Sequence, residues 1–120
     1  MSNIFKLATI RIVTKDFMSS KAFVERLFEM SPIEDQELFA SYMLEGIIID
    51  LVQEDDFNLS SSGGAIPYWE VSGLDDVLAK AQQLGAEIYR GPLLVEETLQ
   101  KIVQIKSSCG LILGFEQRIQ

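Results

Sequence analysis

The sequence predicts an α+β domain in which two βαβββ modules form a curved, antiparallel-rich sheet around a concave cavity, helices on the outer face. Three observations predict it. The order strand, helix, hairpin occurs twice along the 120 residues. The repeat also holds in spacing: TIRIV at Thr9–Val13 matches PYWEV at Pro67–Val71, and GIIIDL at Gly46–Leu51 matches GLILGF at Gly110–Phe115. A composition of 48% hydrophobic and 23% charged residues suits one globular domain. Neither module, at roughly 55 residues, buries a robust core alone, so the two should pack together as a single domain over 1–120. Module 1 covers about 1–56, the linker about 57–64 and module 2 about 65–120.

Each element follows from local chemistry. Phe5–Val13 alternates and is rich in β-branched residues, which reads as a strand. Asp16 can cap a helix over Phe17–Met30, whose Ala22, Phe23, Leu27 and Phe28 form an apolar stripe. Ser31-Pro32 stops it, because proline has no donor and restricts the residue before it. Leu38–Leu44 and Gly46–Gln53 read as strands joined by a tight turn at Glu45-Gly46. The polar stretch Glu54–Gly64 (EDDFNLSSSGG) has turn chemistry throughout. In the second module Ile66–Val71 is a strand, and Leu74–Leu84 is a helix with Leu74, Val77, Leu78, Ala81 and Leu84 at helical spacing before Gly85. Glu87–Tyr89 begins a strand that Gly91-Pro92 is expected to break. Thr98–Lys106 and Leu111–Glu116 make the closing hairpin around Ser107–Gly110.

Composition narrows the chemistry. Asp and Glu number 18 against 10 Lys and Arg, a net charge of −8, and no basic cluster offers itself to nucleic acid or an anionic membrane. No histidine is present, which removes the commonest general base and metal ligand. The single cysteine, Cys109, excludes an internal disulfide and has no histidine to activate it. No apolar run reaches the roughly 20 residues of a membrane span, and the opening segment MSNIFKLATIRIV does not resemble a signal peptide. A cytoplasmic protein is expected.

The segments TIRIVTKD leading into SSKAFVERLF, YWEVSGLDDVLAKAQQLGAEI, and the closing CGLILGFE resemble the glyoxalase/bleomycin resistance protein/dioxygenase (vicinal oxygen chelate) superfamily over nearly the whole chain. The resemblance implies four metal-ligand positions, one on each of four strands lining the concave face. They fall on Thr9, Asp50, Ile66 and Gly114, where the family's metal enzymes commonly carry histidine, glutamine or glutamate. Only Asp50 is a good donor, and divalent ions at such sites need three or four. No metal and no cofactor are therefore expected. The bleomycin-resistance branch, as the resemblance implies, sequesters cationic drugs without a catalytic metal, as a homodimer.

Strand parity completes the candidate site. If Ala8, Ile10 and Ile12 face the helix, then Thr9, Arg11 and Val13 face the cavity. Ile48 and Asp50, then Ile66, Tyr68 and Glu70, and finally Glu116 share that face, while Trp69 has helix-facing parity. Arg11 either clamps an anionic group or pairs with Asp50 or Glu70. The expectation is a metal-free binder of a cationic or small organic ligand, rather than an enzyme. The alternatives are a metal-dependent lyase or dioxygenase with a displaced carboxylate site at Asp50, Glu70 and Glu116, and a structural or regulatory dimer with a vestigial pocket.

Overall fold

The computed structural model describes residues 4, 7–56, 58, 66–96 and 99–119. Most of the expected linker at 57–64 lies outside them. In the first module β1 (Thr9–Thr14) leads into α1 (Phe17–Phe28), followed by β2 (Glu34–Gln36), β3 (Phe39–Leu44) and β4 (Ile47–Gln53). The second runs β5 (Tyr68–Glu70), α2 (Leu74–Gln83), β6 (Glu87–Val95), β7 (Gln100–Lys106) and β8 (Ile112–Arg118). The expected α+β architecture is realised as two four-stranded mixed sheets, in the orders β1-β4-β3-β2 and β5-β8-β7-β6. In each, the first strand runs parallel to the last, which requires the intervening helix as a crossover, and the remaining pairs are antiparallel.

The repeat extends to how each helix begins. Asp16 caps α1 by accepting from the Ser19 amide at 3.2 Å. A glutamine on the last strand of each module then accepts from the helix's first amide: Gln53 from Phe17 at 3.0 Å, and Gln117 from Leu74 at 2.9 Å. These glutamines stand seven residues after Gly46 and Gly110 respectively, so they are equivalent positions of the repeat. The β3–β4 turn places Glu45 and Gly46 both at positive φ, 51° and 82°, the geometry a two-residue hairpin needs.

Several elements differ from the sequence reading: β5 is confined to Tyr68–Glu70 rather than Ile66–Val71, and β8 runs on to Arg118 rather than ending at Glu116. Helix α1 stops at Phe28, with Glu29 in the left-handed region, two residues before the expected end. Strand β2 is the third strand that the βαβββ plan asks of the first module, but no local signal locates it: its residues, Glu-Asp-Gln, are exposed and polar, and it exists by pairing with β3. Gly91-Pro92 does not break β6. The strand is an edge, so proline's missing donor costs no ladder bond, and the register shifts there instead.

One buried core serves both modules. It gathers Phe17, Phe23, Val24 and Leu27 from α1, Tyr42, Ile49 and Leu51 from β3 and β4, Leu74 and Leu78 from α2, and Val103, Ile105, Leu113 and Phe115 from the closing hairpin. A ring cluster crosses between modules: Phe28 meets Trp69 edge-on at 4.9 Å and Phe115 at 5.9 Å. Helix α1 is also tied to its own sheet by polar contacts. The fully buried Tyr42 donates its hydroxyl to Glu25 at 2.9 Å, and Lys21 bridges Glu25 at 3.0 Å and Asp35 at 3.4 Å. Burial, then the Glu25 carboxylate, pushes the Tyr42 phenol well above its ordinary value, and Glu25 first among its neighbours raises Lys21. Among the described residues no helix is long and apolar enough to cross a membrane.

Candidate functional site

Strand register brings the polar groups of the face expected to line the cavity into two rows. In the first module Arg11, Asp50 and Ser41 are direct neighbours across β1, β4 and β3. Asp50 is buried, accepts from the Ser41 hydroxyl at 2.6 Å and receives an Arg11 guanidinium nitrogen at 3.4 Å. The other Arg11 terminal nitrogen donates to Asn58 at 3.3 Å. Of the two roles open to Arg11, the pairing with Asp50 is the one formed. The side chain stays about half exposed, which keeps the bridge weak. Thr9, exposed, lies beside the half-buried Ile48 on the same pair of strands.

The second row joins Tyr68, Gly114 and Gln104 across β5, β8 and β7. Gln104 donates to the Tyr68 hydroxyl at 2.7 Å. The Tyr68 ring lies over Gly114 so closely that a Cβ added there would stand 2.7 Å from ring carbon. Gly114 thus has no side chain because its neighbour's ring fills that space. Glu116 accepts from Gln100, Glu70 is exposed at the end of β5, and Ile66 is exposed before it.

These residues do not fit a divalent metal. Asp50 is engaged by Ser41 and Arg11, Ile66 offers no side-chain donor, and the Gly114 position is closed by an aromatic ring. Among the described residues no group of three or more His, Cys, Asp or Glu stands close enough to hold an ion, the trio Asp50, Glu70 and Glu116 included.

The cavity lies elsewhere. A space of about 580 Å³ opens between the modules, where α1 and the start of β4 face β5. Phe28, Trp69 and Phe115 line its aromatic side, and Ile10, Leu44, Ile47, Ile49, Val71 and Val77 contribute aliphatic walls. The two exposed carboxylates Glu45 and Glu70 stand at its margin, and Tyr68 also lines it. Of the sequence-predicted set the cavity brings together Tyr68 and Glu70. Thr9, Arg11, Ile48, Asp50, Ile66 and Glu116 do not line it. Sequence reasoning missed the cavity because its walls have the apolar, helix-facing parity of core residues. The available signal was Trp69, large and polar-tipped, sharing that parity with Ile10 and Ile49.

With that geometry in view, the fold can be compared with known structures. No family model and no curated protein sequence matches the chain. Solved structures do. A glyoxalase/bleomycin resistance protein/dioxygenase family enzyme from Burkholderia phytofirmans superposes with a TM-score of 0.77 at 16% identity, covering 96% of this chain and 100% of that one. A glyoxalase/bleomycin resistance protein/dioxygenase from Nocardioides gives 0.69 at 15% identity, over 100% and 87%. An integron cassette protein from the mobile metagenome of V. cholerae gives 0.70 at 14%, over 98% of each chain. The chain therefore has the fold of the glyoxalase/bleomycin resistance/dioxygenase proteins, as the sequence resemblance implied. At such identity the likeness concerns the fold and not the activity.

Proposed function

We propose that the protein binds a small organic molecule without a metal, in the cavity between its two modules. The observation that carries this reading is the cavity itself: drug-sized, mostly apolar, and edged by a few polar groups, the usual form of a small-molecule site. The poor donor set of the concave face supports the metal-independent half of the proposal. A species that binds only the native state raises its stability. The expected result is thermal stabilisation by members of an organic ligand library and none by manganese, magnesium or zinc. Stoichiometric metal binding that disappears in Asp50→Ala overturns the reading.

We extend the proposal to a homodimer working in the cytoplasm. Strand β6 is exposed along its length and presents Ile88, Tyr89, Leu93 and Leu94 to solvent, a larger apolar stripe than scattered surface residues make. The free Cys109 thiol, between the hydroxyls of Ser20 at 3.1 Å and Ser107 at 3.2 Å, suits a reducing compartment. Sedimentation velocity should give a dimer that Leu94→Lys weakens. A monomer at all concentrations refutes this extension and leaves the ligand proposal standing.

A further inference from the structure

We infer that the cavity takes a short, extended peptide, which pairs through its backbone with the free edge of β5. This rests on the ligand-binding reading above and adds the chemical class of the ligand. Strand β5 stands at the end of its sheet, so one of its sides has no neighbouring strand. The Gly114 amide donates to the Pro67 carbonyl at 3.0 Å, and the Val71 amide donates to the Glu116 carbonyl at 2.8 Å. In a parallel ladder alternate residues turn their backbone groups to the same partner strand. Pro67, Trp69 and Val71 therefore face β8, and the N–H and C=O groups of Tyr68 and Glu70 point to the free side. Among the described residues none of these four groups has a hydrogen-bond partner. The cavity runs along that side. Tyr68, Trp69, Glu70 and Val71 all line it, although successive side chains of a strand point to opposite faces. Consecutive residues border one space where that space follows the strand's edge. The other walls, Phe28 and Phe115 among them, are largely apolar and give these backbone groups no partner. A peptide does, because its own N–H and C=O groups recur at the same rise of about 3.3 Å per residue. One of its side chains then enters the apolar space beside Trp69. Strand β5 has three residues, so the pairing suits a short peptide rather than a long strand.

Trp69 is the only tryptophan of the chain, so its emission reports occupancy of this cavity directly. The probes are uncharged blocked tripeptides, acetyl-Ala-X-Ala-N-methylamide with Phe, Leu or Val as X, titrated against the intact protein. Toluene represents the Phe side chain alone. The best of the peptides should change Trp69 emission saturably and bind more tightly than toluene. Analogues of that peptide each carry an ester in place of one amide. At least one should bind about three- to tenfold more weakly, the worth of a hydrogen bond. In amide hydrogen exchange followed by NMR, bound peptide should protect Tyr68 and Glu70, while Trp69 and Val71, already bonded to β8, change little. Glu70→Pro removes an outward amide and no bond to β8, a placement that an edge strand tolerates. It should bind the peptide about three- to tenfold more weakly than Glu70→Ala, which lacks the same carboxylate but keeps the amide. Toluene should not distinguish these two variants. Equal binding of the peptide and all its esters, equal binding by the two Glu70 variants, or binding without protection at Tyr68 and Glu70 overturns the inference and leaves the ligand-binding reading intact. Protection of both amides that grows with protein concentration in the absence of peptide also overturns it, because a second copy then holds the edge. Silence of all three peptides overturns it as well. The broader reading falls only if the organic ligand library is silent too.

Discussion

At Gly114 the backbone of β8 passes beneath the Tyr68 ring, and no side chain fits between them. Gly114→Ala should therefore cost about 1–3 kcal/mol, the usual penalty of an overpacked site, measured by urea denaturation. In a Tyr68→Ala background the same substitution should cost much less, because the clash is with the ring and the two positions are coupled. Asp50 has a different logic. It is a buried carboxylate satisfied by Ser41 and Arg11, so Asp50→Ala strands the Ser41 hydroxyl, and a loss of about 1–3 kcal/mol is expected. Both residues were picked out in the sequence, Asp50 as the single plausible donor and Gly114 as a missing one. Why Gly114 is glycine was not legible there, since the answer is a ring on a neighbouring strand whose register only pairing reveals.

At the scale of elements, the two helices are anchored alike, and the anchors predict alike. Gln53→Ala and Gln117→Ala each leave a helix's first amide without its partner next to buried Phe17 or Leu74. Each should cost about 1–2 kcal/mol in a denaturation experiment. The anchoring of α1 to β3 and β2 also makes stability depend on alkaline pH. Tyr42 and Lys21 both have folded-state values raised above the ordinary 10.0 and 10.5. The folded protein therefore holds these protons where the unfolded chain releases them, so their contribution is complete below about pH 10 and is lost as pH rises beyond it. Thermal melts from pH 8 to 11 should show this decline, and Tyr42→Phe should make it shallower. Helix and strand types were legible from periodicity, capping and turn residues. The place of the short strand β2 and the passage of β6 through Gly91-Pro92 were not, because each depends on a partner strand or on edge position rather than on local propensity.

For the whole molecule, the shared core makes the modules one folding unit. Phe115→Ala removes a ring that touches both Phe28 of the first module and Trp69 of the second, and should cost about 3–5 kcal/mol. Trp69 fluorescence and far-ultraviolet circular dichroism should still lose structure in one coincident transition, since neither module has a core of its own to retain. Two separated transitions would show independently stable modules.

The order and spacing of residues by themselves determined the doubled βαβββ plan, which residues face the helices, and the poverty of metal donors at Thr9, Ile66 and Gly114. These are properties of periodicity and residue chemistry, which need no knowledge of neighbours in space. Only the tertiary structure decided that Arg11 is spent on Asp50, that Tyr68 closes the space above Gly114, and that the open volume lies between the modules beside Trp69. A cavity is the place where two packed surfaces fail to meet, and the apolar residues around it carry the same pattern as those that succeed.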